Sequence, residues 1–101
     1  MQIKILASGS KGNCYYISDG ETSILIECGI PIKEIQKGLD FKLSEISGVL
    51  VSHRHRDHCC ALPDIINAGI DVYAPEDVFK SRNLTGHRCH SLTAFKATPR
   101  D

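Results

Sequence analysis

The chain opens on a period of two, with Ile3, Ile5 and Ala7 alternating with Lys4 and Leu6, and this predicts a short strand running into Ser8-Gly9-Ser10-Lys11-Gly12-Asn13. That hexapeptide is a turn by composition, because glycine and asparagine adopt positive φ at little cost. Cys14 to Ser18 and Thr22 to Glu27 also read as strands, and Asp19-Gly20 between them is a strong hairpin signal. A small antiparallel sheet is expected in the first third.

After Gly29 the period lengthens to 3.6: Pro31 suits the first helical position, Ile32, Ile35, Gln36 and Leu39 share a face, and Gly38 weakens the end. Ser44-Glu45-Ile46 makes a turn, and Gly48 to Ser52 reads as a continuous apolar strand of the kind buried on both faces. A helix is predicted from Asp57 or His58 to about Ala68, with Leu62, Ile65 and Ile66 on one face, Gly69 as its stop and Pro63 confined to the first turns or bending it. Asp71 to Ala74 is a short strand, Pro75 to Lys80 opens another helix, and Thr93 to Thr98 is a weaker strand. Strands alternating with helices after a hairpin define an α/β layered domain, and the absence of repeats and linkers makes residues 1–101 one domain.

Composition narrows the picture. Apolar residues make up 42% and charged residues 24%, a globular balance. Twelve basic and twelve acidic side chains cancel, so contact with a polyanion must be local. The apolar runs are too short to cross a bilayer, and Met1-Gln2-Ile3-Lys4 lacks a signal-peptide layout. Five cysteines are an odd number, and adjacent Cys59 and Cys60 suit a disulfide poorly, so reduced thiols in the cytoplasm are expected.

The chemistry concentrates in His53-Arg54-His55-Arg56-Asp57-His58, an H-x-H-x-D-H spacing at the end of the apolar strand. If the backbone stays extended, His53 and His55 converge on one point while Arg54 and Arg56 turn away. If a helix then starts at Asp57, its carboxylate and His58 face a second point, and two metals about 3.5–4 Å apart come within reach of one loop. These donors suit zinc, manganese or iron. Such an ion draws the pKa of water towards about 7, which serves hydrolysis of an ester, amide or phosphodiester. The carboxyl end of a strand is also where α/β sheets gather their sites. A histidine-rich surface loop without metal is the weaker alternative.

His53 to His58 resembles the H-x-H-x-D-H motif of the metallo-β-lactamase superfamily, and "ILASGSKGNCYYI" (residues 5–17) resembles the opening of its WalJ/YycJ-type bacterial subgroup. "LVSHRHRDH", "ALPD" and "VYAP" continue the likeness in order. The resemblance implies an αββα sandwich, of which this chain is the N-terminal half: a mixed sheet beginning with a hairpin, with helices packed on it. It implies two divalent metal ions, zinc first and manganese or iron as alternatives, with His53 and His55 as ligands of one and Asp57 and His58 of the other. Asp57 would also orient or deprotonate the attacking water. Many members of this branch act on nucleic acids or other phosphodiesters, so a phosphodiester or nucleic-acid substrate is implied.

Two departures stand out. The subgroup carries aspartate where "LIECG" has Glu27, a position that braces the metal loop. The later ligands lie downstream of a strand that Ala94 to Pro99 resembles, so the domain reads as truncated, with two ligands per metal. The alternative function is therefore a catalytically incomplete half-domain that binds metal weakly, or that associates through its uncovered sheet as a homodimer or domain-swapped assembly.

Four further features have two readings each. His87-Arg88-Cys89-His90 is a substitute ligand set or, preferably, a solvated loop; a zinc site from Cys59, Cys60, Cys89 and His90 lacks C-x-x-C spacing. Cys59 and Cys60 alone could ligate metal, but packing is favoured. Ser8 to Asn13 could present N–H groups to a phosphate, and a plain turn is favoured. Arg54 and Arg56 are evenly balanced between phosphate contact and solvation.

Overall fold

In the computed structural model, which describes residues 1–92, six strands form one sheet in the order β1-β2-β3-β4-β5-β6. The strand expected over Thr93 to Thr98 lies outside the described residues. Strands β1 (Gln2–Ala7), β2 (Cys14–Ser18) and β3 (Ser23–Ile26) form the antiparallel meander that the alternation predicts. Asp19 closes the hairpin by accepting the backbone N–H groups of Thr22 at 2.8 Å and Glu21 at 2.9 Å, which hold its carboxyl below the ordinary range.

From β3 onward the sheet grows in parallel. Helix α1 (Ile32–Gly38) and a 3-10 turn over Leu43–Glu45 carry the chain to β4 (Gly48–Leu50), which pairs with β3 through Ile24↔Gly48 and Ile26↔Leu50. Pro31 sits one position earlier than expected, as the extended residue before α1 (φ −56°, ψ 146°), and its carbonyl accepts the Glu34 and Ile35 N–H groups. Strands β5 (Val72–Pro75) and β6 (Cys89–Leu92) follow, with helix α4 (Glu76–Ser81) between them.

The helix expected from residue 57 to 68 is two helices, α2 (Arg56–Cys59) and α3 (Leu62–Asn67). Proline has no N–H to continue the ladder, so Pro63 falls in the first turn of α3. The Ala61 N–H turns aside to the Cys28 carbonyl at 2.9 Å. The segment from His87 to His90 is likewise corrected, since Cys89 and His90 belong to β6 and the His90 ring stacks on Tyr73 with centroids 4.6 Å apart. Arg88, just before β6, pairs with Asp71 at 3.1 Å.

The helices lie on one side of the sheet. Leu25, Val49, Val51, Val72 and Ala74 are buried with Ile35, Leu62, Ile65 and Val78 in a continuous core. Each large side chain there contributes about 1.5–3 kcal/mol by leaving water. The expectation that β4 is buried on both faces fails at Leu50, which is 37% exposed although Val49 and Val51 are buried. Its row, Ile5–Tyr15–Ile26–Leu50–Tyr73, lies on the face away from the core, where Ile3 and Ile5 are 64% and 65% exposed. Among the described residues no helix is long and apolar enough to cross a membrane.

Candidate metal centre

Parallel pairing of β3 and β4 delivers the ends of both strands to one place. The Glu27 N–H bonds the Leu50 carbonyl at 2.7 Å, and Glu27 then takes a left-handed conformation (φ 66°) that turns its buried carboxylate beneath the next stretch of chain. A non-glycine residue there costs about 1–3 kcal/mol, a strain that the surrounding bonds must hold. Ser52 supplies them: its N–H reaches Glu27 Oε1 at 3.0 Å, and its hydroxyl bonds Oε2.

The same hydroxyl lies 2.6 Å from Nδ1 of His53. A carboxylate only accepts, so the Ser52 O–H donates to Glu27 and its oxygen accepts from Nδ1–H of His53. That tautomer leaves the Nε2 lone pair of His53 available to a metal. His58 completes the corner, its ring centroid 4.8 Å from that of His53. Its buried Nδ1 makes no hydrogen bond and lies 3.4 Å from Glu27 Oε2, and its Nε2 lies 3.7 Å from Asp57 Oδ2.

Two segments clamp the loop from behind and are bonded to each other. Asn13 donates its backbone N–H and its side-chain amide to the Asp57 carbonyl at 2.8 and 3.2 Å, the Cys28 N–H bonds the His58 carbonyl at 2.8 Å, and the Gly29 N–H bonds the Asn13 carbonyl at 2.9 Å. Gly29 is required by close approach, since a Cβ there would stand 1.8 Å from the Asp57 carbonyl oxygen. Cys59 is buried and its thiol faces the carbonyls of Arg54 and His55 at 3.3 Å each, which is the packing role expected of it. Burial, chiefly, pushes the Cys14 thiol up to about 12, with Glu27 and Cys60 adding to it; burial also raises Cys28 well above its ordinary range.

The histidines do not group as strand alternation suggests. Extended pairing stops at Leu50 and α2 starts at Arg56, so the geometry that would aim His53 and His55 at one point does not persist. Ligand atoms of Glu27, His53 and His58 gather within 4.8 Å of one another. His55 and Asp57 instead line an adjoining open cleft of about 520 Å³ with Ser10, Lys11 and Gly29. The expectation that Glu27 braces the loop corresponds to its bonds with Ser52, but Ser52, Asn13 and Gly29 were not singled out. Their signals were local and weak, a serine before the first histidine and an asparagine and a glycine at strand ends.

The Nε2 of His53, left open by the Ser52 bond, and the buried Nδ1 of His58, which lacks a hydrogen bond, are donors that fit a divalent cation, with the Glu27 carboxylate close behind them. The set lies just beyond the carboxyl ends of the parallel strands β3 and β4 in a mixed sheet covered by helices on one face. The family model of the metallo-β-lactamase superfamily matches residues 7–98, and the chain belongs to that superfamily.

Among relatives, an exodeoxyribonuclease YycJ of Bacillus anthracis is 31% identical over 85 residues, covering 80% of this chain and 32% of that protein. A probable RNase MJ4 of Methanocaldococcus jannaschii is 36% identical over 62 residues, covering 59% of this chain and 14% of that protein. The chain thus spans a third or less of the length of these relatives. Among solved structures, the metallo-β-lactamase fold protein YhfI from Bacillus subtilis superposes with a TM-score of 0.65 at 19% identity, covering 89% of this chain and 43% of that one.

Proposed function

We propose that this chain is the metal-binding part of a hydrolase that cleaves phosphodiester bonds in nucleic acid. The observation that carries the reading is the hydrogen-bond chain from His53 through Ser52 to Glu27, which orients one imidazole and leaves its Nε2 free for a metal. His53, His55, Asp57 and His58 are the proposed ligands, and Glu27 is a brace whose two oxygens are already engaged by Ser52. These residues would hold divalent ions, zinc first and manganese or iron as alternatives, which would supply Lewis acidity towards the phosphoryl oxygen and acidify water. Asp57 orients the attacking water and accepts its proton on the carboxylate. Nuclease names among the relatives support the substrate class. Cytoplasmic location is part of the proposal, in keeping with the unbridged thiols of Cys14, Cys28, Cys59 and Cys89.

The test is cleavage of a labelled single-stranded oligodeoxynucleotide by the complete protein that carries this chain, stripped of metal and then reloaded with zinc or manganese. Cleavage should appear only on reloading and fall at least about 100-fold in His55→Ala. Equal rates in His55→Ala and the parent would overturn the assignment.

The open sheet face favours a second reading, association of two copies. Ile3, Ile5, Leu50 and Leu92 expose 64%, 65%, 37% and 41% of their surface there, and sheets bury such faces against one another. Light scattering should give twice the chain mass, and Ile5→Lys should return it to the monomer; a monomeric parent would exclude this reading.

A further inference from the structure

Two clefts flank the histidine loop, and His55 lines both. They differ in lining. The cleft of about 500 Å³ beside His53 and Arg54 carries two carboxylates, Asp77 and Glu76, the latter paired with Lys80 at 3.0 Å. The cleft of about 520 Å³ on the other flank is lined by Ser10 and Lys11 together with His55 and Asp57. It therefore brings a cation and a hydroxyl into one cleft with two of the proposed metal ligands.

Lys11 is exposed, but its backbone is held in place. The Gly12 N–H bonds the Gly9 carbonyl at 3.2 Å, the Gly9 N–H bonds Asn13 Oδ1 at 3.2 Å, and Asn13 is fastened to the Asp57 carbonyl. A Cβ on Gly12 would stand 2.4 Å from the Gly29 carbonyl oxygen, so the turn presses on the segment that supports the metal loop.

We infer that Ser10 and Lys11 form the phosphate-binding wall of the site, seating a backbone phosphate of a single-stranded nucleic acid against the His55–Asp57 edge. The inference rests on the phosphodiester reading above and adds which side of the loop the strand occupies. Lysine acts there as a point charge with a long reach, and the serine hydroxyl donates to a phosphate oxygen.

The test is anisotropy of a labelled short single-stranded oligodeoxynucleotide titrated with the full chain across a range of salt concentrations. Lys11→Ala should weaken binding about tenfold at low salt and reduce the slope of log K against log salt by about 0.7, the value for one phosphate contact on a single strand. Lys11→Arg should restore both, and Lys42→Ala, in a separate cavity, should change neither. If the parent binds and Lys11→Ala matches it in affinity and slope, the inference fails while the phosphodiester reading stands. If the parent binds no oligonucleotide with or without zinc, the phosphodiester reading itself fails.

Discussion

On the Glu27 side of the histidine loop, Ser52 and His53 are tied to a carboxylate only 6% exposed, whereas on the Lys11 side Ser10, Lys11 and His55 stand exposed around an open cleft. One side fixes ring orientation through a strained strand end, and the other leaves room for a molecule to enter. A metal centre that must hold its ligands rigidly and still admit substrate needs both, and six residues of loop divide the tasks. The loop itself is held from behind by Asn13, Cys28 and Gly29.

The largest effect is expected from removing that support. Gly29→Ala places a methyl 1.8 Å from the Asp57 carbonyl oxygen and should cost about 3 kcal/mol or more in a denaturant titration, because backbone rather than a flexible side chain must move. An unchanged midpoint would show that the two segments are not in contact. Next, His58→Ala should weaken zinc binding at least about 100-fold by calorimetry, since it deletes a ligand at the centre of the cluster. Glu27→Asp should be milder: aspartate tolerates the left-handed backbone better, but its shorter arm loosens Ser52, so metal affinity should fall about tenfold with little change in folding stability.

The effect that is smallest at neutral pH, where it is silent, concerns the packing behind the loop. The Cys14 thiol stays protonated to about 12 in the folded chain, against 9.0 as its ordinary value. The unfolded chain therefore loses this proton first, and the contribution is whole below about pH 9 and lost as pH rises towards 12. Alkaline unfolding curves should be shallower for Cys14→Ala, with Cys28 keeping part of the slope. Identical slopes would mean that solvent reaches the thiol.

Much of this was legible from local pattern. The period-two runs and Asp19-Gly20 located the meander, because strand alternation and turn chemistry are properties of neighbouring residues. The H-x-H-x-D-H run is likewise a pattern of neighbouring residues, and it marked the stretch that carries the proposed ligands. What alternation could not reveal was tertiary: the break at Cys60–Ala61 depends on the Cys28 carbonyl, and the exposure of Leu50 depends on which face the helices cover. The grouping of His53 with His58 rather than His55 depends on where β4 stops, and His90 lies in a strand because β5 offers it an edge. Glu27, Asn13 and Gly29 meet the loop across long stretches of sequence, and no spacing rule reports such contacts.

The division of labour across the loop is tested most directly by zinc affinity in two variants measured side by side, Asp57→Asn and Glu27→Gln. With Asp57 as a ligand and Glu27 as a brace, Asp57→Asn should lose at least about 100-fold and Glu27→Gln about tenfold. A larger loss in Glu27→Gln than in Asp57→Asn would make Glu27 the ligand and contradict the account.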